Sequence, residues 1–265
     1  MEGLLHKMQT ELGDEVTYSL HLNSTFVVND LIGRNIRLNW SGKIVCANCE
    51  KQTRKSFGDG LCYSCFMNAP QAAECILRPE LCRAHLGEGR DVEWEEANHN
   101  QPHIVYLAAS DIVKVGVTRI TQVPTRWIDQ GASAAIRLAE TPNRYEAGKL
   151  EVALKEFFSD KTNWQRMLKN EIDDEIDLVE EKWTLHDRLP ADLTEFFSED
   201  DEIIDINYPV LEFPAKVTSM SFDKTPTIEG KLMGIKGQYL LFEGGKVLNI
   251  RKHTGYEVEM EVVQN

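Results

Sequence analysis

The sequence predicts an α+β protein in which a cysteine-rich metal module precedes a ββα(β)α domain and antiparallel strands occupy both ends of the chain. Three observations carry this prediction. Four cysteines fall in two CxxC pairs, Cys46/Cys49 and Cys62/Cys65; apolar and polar residues alternate near both ends; and between residues 103 and 158 the apolar spacing changes from a strand period to a helix period.

Taken in order, residues 1–45 form a β segment. Val16-Thr-Tyr-Ser-Leu-His-Leu and Asn35-Ile-Arg-Leu-Asn-Trp alternate as half-buried antiparallel strands do. From 46 to 100, cysteines, glycines and polar residues dominate without a long amphipathic repeat, the mark of a compact metal-held module. A domain at 101–170 follows. Ile104-Val-Tyr-Leu-Ala and Val113-Lys-Val-Gly-Val-Thr118 predict a hairpin around Ser110-Asp111. Pro124 opens a helix that stops at Gly131, a short strand is an option at 134–138, and Ala147, Leu150, Leu154 and Phe157 recur at helical spacing. An acidic connector spans 171–205. Residues 206–265 return to strand patterns, with Glu243-Gly244-Gly245 as a hairpin turn. Because a few short strands cannot protect both edges alone, the N-terminal strands are expected to complete a barrel or sandwich with the C-terminal set.

The formal net charge is −14, which by itself argues against a polyanionic partner. Its distribution weakens that argument. Residues 171–205 hold 15 acids against two bases, whereas residues 101–170 hold 10 bases against seven acids. The acidic stretch reads as a solvated connector or helix face, or as a guard that competes with nucleic acid for a basic site. Apolar runs are short and the N-terminal residues lack the succession of a signal peptide, so the expectation is a cytoplasmic protein with no membrane partner.

The spacing of Cys46, Cys49, Cys62 and Cys65 is that of a two-knuckle zinc ribbon. Each CxxC turn points two thiolates at one Zn²⁺, Gly58 and Gly60 ease the intervening loop, and four thiolates leave no open coordination position, so the role is structural. A redox pair is the alternative, but no thioredoxin-like βαβ pattern surrounds it. Cys75, Cys82 and His85 follow as ligands of a second zinc, with His99 as the preferred fourth and His103 as the other candidate. Ordinary buried cysteines are the alternative there.

Residues 103–168 resemble a GIY-YIG nuclease domain, about a quarter of the chain. Ile104-Val105-Tyr106 is similar to the first motif and Lys114-Val115-Gly116 to the second. Arg126 occupies the place of the first-helix arginine, Asn143-Arg-Tyr-Glu-Ala-Gly-Lys-Leu-Glu151 is similar to the stretch bearing the metal-binding glutamate, and Asn163 to the closing asparagine. The wider layout, including Gly234-Ile-Lys-Gly-Gln-Tyr-Leu-Leu-Phe, resembles an uncharacterised bacterial family containing a zinc ribbon. The resemblance implies that Glu151 holds Mg²⁺ or Mn²⁺, that Arg126 contacts a phosphate and that Tyr106 orients or deprotonates the attacking water. Lys114 replaces the second tyrosine and would lower the Tyr106 pKa or mark a domain that binds without cutting, with His103 as a substitute base.

Each of these residues also has a plainer reading: Tyr106 as a core aromatic, Arg126 as a surface helix residue, Glu151 as the i,i+4 partner of Lys155. Lys236 and Arg251, with Gln238, Asn249, Lys252 and His253, form a polar and basic set that would follow a phosphate backbone together with Arg126, Lys114 and Asn163, or would be the ordinary outside of a β scaffold. The expected functions are a divalent-metal-dependent endonuclease acting on DNA or RNA, a non-catalytic zinc-containing binding protein, or an RNA-modification or translation accessory factor.

Overall fold

The computed structural model describes residues 1–155, 157–158, 163–172 and 176–263. The chain divides into two compact units, one made of residues 1–67, 128–131 and 206–265 and the other of residues 68–127 and 132–205. Both mix strands with helical segments, so the protein is α+β.

The first unit is built on an eight-stranded sheet that interleaves the two ends of the chain. Its order is Glu2–Leu4, Tyr256–Val262, Asn35–Val45, Thr227–Lys236, Tyr239–Phe242, Lys246–Asn249 and Thr218–Ser219, with Gln52–Thr53 added to Asn35–Val45. The alternation of Asn35-Ile-Arg-Leu is realised directly: Ile36 and Leu38 are buried, while Arg37 lies on the outer face between its cross-strand neighbours Glu229 (2.6 Å) and Glu261 (2.8 Å). The expected union of N- and C-terminal strands is present, but the barrel is not. The path ends on Glu2–Leu4 and Thr218–Ser219, which do not pair with each other, so the sheet stays open and its edges are protected by being short. Gln9–Glu11, Thr17–His21 and Thr25–Val27 form a separate three-stranded sheet.

The second unit holds a four-stranded antiparallel sheet in the order Ile203–Asp205, Ala134–Thr141, His103–Ala109, Val113–Arg119. Helix Arg144–Lys155 covers one face. Its Ala147, Leu150 and Leu154 pack with Val105, Leu107 and Ala109, joined by Leu178, Leu185 and Leu193. The acidic stretch read as a connector is part of this unit: helix Leu178–His186 sends Leu178 and Leu185 into the core, and Ile203–Asp205 supplies an edge strand. Its described acids are exposed, and its one buried base, Lys182, donates to Asp200 O (2.6 Å) and Asp201 Oδ1 (2.9 Å). No helix among the described residues is long and apolar enough to cross a membrane.

Candidate metal centres and the hairpin domain

Cys46, Cys49, Cys62 and Cys65 bring their sulfur atoms within 4.8 Å of one another. Cys46 follows directly on the strand Asn35–Val45, the loop turns through Gly58 and Gly60 at positive φ (53° and 94°), and Cys65 sits in the helix Tyr63–Asn68. The Cys49 and Cys62 sulfurs are 3.9 Å apart. That is far beyond a disulfide, and close to the edge of roughly 3.8 Å that a tetrahedron with metal–sulfur bonds of about 2.3 Å requires. Burial pushes the Cys46 thiol up, but backbone N–H groups of Cys62, Cys49 and Asn48 aimed at its sulfur outweigh this and bring its pKa down to about 6. Asn48 Nδ2 also donates to Cys65 Sγ at 3.3 Å. The cluster can hold a metal ion such as zinc.

A second group lies in the other unit. Cys75, Cys82, Glu95 and His99 place ligand atoms within 4.8 Å of one another, and all four residues are buried. The cysteines ride on single 3₁₀ turns, Glu74–Ile76 and the residue after Pro79–Leu81, around an apolar cluster of only Ala73, Cys75, Cys82 and Ala84 with Ile76 and Tyr145 against it. So small a core is of the kind that a metal ion can complete. Helix Val92–His99 is capped by Asp91, which accepts from Trp94 N, and it brings Glu95 and His99 to one face by their i,i+4 spacing. His99 Nδ1 meets Glu95 Oε2 and stands 3.9 Å from Cys75 Sγ. Cys82 is held low, with a pKa of about 4, chiefly by the hydrogen bond from the Cys75 thiol, with His99 and the Ala84 N–H also lowering it against burial.

His85, expected as a ligand, is outside that group. It stacks on Tyr145 with ring centroids 4.5 Å apart, and its buried Nδ1 has no hydrogen-bond partner. Glu95 takes its place, a residue the sequence reading missed among the neighbouring acids. The second group is also locked to the helix that covers the sheet. Arg144 donates from Nε to Cys75 O and from Nη2 to Ile76 O, both at 2.9 Å, and a Cβ on Gly148 would lie 2.2 Å from the Glu80 backbone nitrogen. Only glycine permits that approach.

In the hairpin, Val105 and Leu107 face helix Arg144–Lys155, so alternation turns Tyr106 to the opposite face of the sheet. There it is 1 % exposed, its ring 5.7 Å from that of Trp127, and a Cβ on Gly116 would lie 2.5 Å from its phenol oxygen. Glu151 belongs to the helix on the other face. Burial raises its carboxyl above the usual range against the pull of Lys155, whose ammonium is 3.3 Å away, and Glu80 raises it further. Glu151 belongs to neither of the two metal-ligand groups found among the described residues. The charges of Arg126 and Glu151 both act on Arg144, so these three share one neighbourhood.

Lys114 is bound to Asp111 Oδ1 (2.9 Å) and Ser110 Oγ (2.8 Å) at the hairpin turn. Asn163 caps the helix Trp164–Leu168, its Oδ1 accepting from Gln165 N and Arg166 N. Buried His103 donates from Nδ1 to Gln101 O (2.7 Å), its Nε2 has no partner among the described residues, and burial lowers its pKa to about 4. The phosphate-tracking role expected of Lys236 fails on burial: the side chain is wholly enclosed, its ammonium 5.1 Å from the Tyr208 ring and 5.5 Å from that of Phe213. Arg251 is engaged by both carboxylate oxygens of Asp59, at 3.0 and 2.6 Å.

No curated protein matches the chain, and no solved structure does. A family model does match, over residues 33–258, a span that takes in both cysteine groups and the hairpin domain. The chain therefore belongs to the family described as Protein of unknown function (DUF2797).

Proposed function

We propose that this chain is a zinc-scaffolded nucleic-acid-binding protein whose GIY-YIG-like domain serves as a platform and does not cut. One observation carries the reading: Tyr106 and Glu151 lie on opposite faces of one sheet, the phenol closed in by Trp127 and Gly116. Phosphodiester hydrolysis needs the group that handles the attacking water and the group that holds the metal within reach of the same phosphorus. The enclosure of the phenol, and its turn away from the face that helix Arg144–Lys155 covers, speak against that arrangement.

Zinc is the ion that suits four thiolates: borderline-soft, content with a closed tetrahedron and free of redox chemistry. Cys75, Cys82 and His99 with Glu95 suit the same ion, and both centres are structural. Nucleic acid as the partner is supported by the resemblance of residues 103–168 and by the basic balance of residues 101–170 within an acidic chain.

The test is incubation of the zinc-loaded protein with branched and single-stranded DNA and RNA in Mg²⁺ or Mn²⁺, beside Glu151→Ala and Arg126→Ala. Complex formation with intact substrate is expected. Cleavage that disappears in Glu151→Ala would overturn the platform reading.

A further inference from the structure

Phe57, in the loop between the two CxxC pairs, touches two further rings, Tyr63 and Phe66, on the short helix that carries Cys65. Phe57 and Tyr63 have centroids 5.6 Å apart, and Phe57 and Phe66 are stacked at 5.8 Å. Tyr63 is 62 % exposed and Phe66 38 %, with Met67 open to solvent beside them. Single exposed apolar residues are ordinary, but a connected set of rings left in water asks for an occupant.

The charge around the rings says which. Lys51, Arg54 and Lys55 are exposed, and none forms an ion pair among the described residues. Several other surface bases are paired with acids, Arg37 with Glu229, Lys43 with Glu257, Arg83 with Glu88 and Arg251 with Asp59, whereas here a run of three is not. In a protein of net charge −14, three unpaired bases lie within five positions, and residues 51–58 contain no acid. The Lys55 ammonium lies 5.2 Å over the Phe57 ring, so cation and aromatic face form one surface.

We infer that this loop and the short helix after it form a stacking platform for single-stranded nucleic acid, with Tyr63 and Phe66 taking base faces and Lys51, Arg54 and Lys55 following the phosphates. Flat apolar faces spaced along an anionic strand are the complement of rings rimmed by unpaired bases, whereas a duplex hides its base faces. The platform is stiff. Phe57 and Leu61 exchange backbone hydrogen bonds of 2.8 and 2.9 Å, and Tyr63 and Phe66 flank Cys65 in a helix that begins just after Cys62. The metal centre therefore sets the ring positions. The inference rests on the nucleic-acid-binding reading and specifies the surface and the strand state for it.

The experiment is fluorescence anisotropy of the zinc-loaded full chain with labelled 20-mers of thymidine and uridine and a 20-bp duplex, across a salt series. Tyr63→Ala is expected to weaken single-strand binding by about 5- to 160-fold, the range of one lost base–ring stack, while Tyr63→Phe stays close to wild type. Replacing Lys51, Arg54 and Lys55 with Gln should flatten the logarithmic salt dependence by about 2, from three contacts at roughly 0.7 each. Unchanged zinc content in every variant confirms that the loop is folded. The thymidine and uridine arms tell whether DNA, RNA or both are taken. If wild type binds and these variants bind equally well, the platform is refuted and the broader reading stands; if wild type binds none of the three probes, both fall.

Discussion

Tyr106 and Gly116 face each other across the hairpin so closely that a single methyl group at 116 would lie 2.5 Å from the phenol oxygen. The GIY-YIG resemblance treats the tyrosine as chemistry and the glycine as a motif letter. Their packing makes them one steric unit, and it leads to the first prediction. Gly116→Ala forces the ring against Trp127 or spreads the strands, and should cost about 1–3 kcal/mol in urea unfolding of the zinc-loaded protein. Stability equal to wild type would mean that the phenol has room to move.

Gly148 makes a closer approach still, to the backbone of the Pro79–Leu81 turn. Gly148→Ala cannot be relieved by rotating a side chain, so the turn leading into Cys82 must shift. The expected outcome is about one fewer zinc per chain by elemental analysis, with the Cys46 cluster still loaded.

Elemental analysis of the wild-type protein should find about two ions per chain. Cys46→Ser and Cys82→Ser should each retain about one. The discriminating pair is Glu95→Ala and His85→Ala: the first weakens the second ion's retention against a chelator, and the second leaves it. The reverse result would restore His85 as the ligand.

Buried His103 gives a pH dependence. Its folded pKa of about 4 lies below the unfolded value of about 6.5, so the unfolded chain takes up the proton first. The neutral ring's contribution is complete above pH 6.5 and is lost as pH falls toward 4, to a total of about 3 kcal/mol at most. Since metal ligands also titrate there, the measurement is a difference: unfolding free energy against pH for wild type and His103→Asn. The variant should show the shallower slope between pH 6.5 and 4.

What the sequence made legible was local. CxxC turns identify the first cluster because two thiolates on one tight turn already aim at one ion, and the hairpin shows in the apolar runs on either side of Ser110-Asp111. Glu95 was hidden because Glu93 and Glu96 beside it make the segment look like a solvated face; only the i,i+4 step to His99 hinted otherwise. The side to which Tyr106 turns was also closed to periodicity, since every residue from His103 to Ala109 is buried and the strand has no polar face to mark. Lys236 misled for a related reason. A base in a strand implies water, and nothing local records the two rings that enclose it. Nor did the unbroken run of residues 46–100 indicate that its two cysteine groups belong to different compact units.

The interleaving of the chain ends in the large sheet has a consequence for biosynthesis. The strand Asn35–Val45 takes one long neighbour from Thr227–Lys236 and the other from Tyr256–Val262, so on the ribosome it waits, paired only at its end by Gln52–Thr53, until about 180 further residues have been made. Residues 68–127 and 132–205 form their own compact unit and do not wait on those later strands. Loss of Tyr256–Val262 therefore bares a long edge of Asn35–Val45, and aggregation would begin at that strand, far upstream of the missing residues.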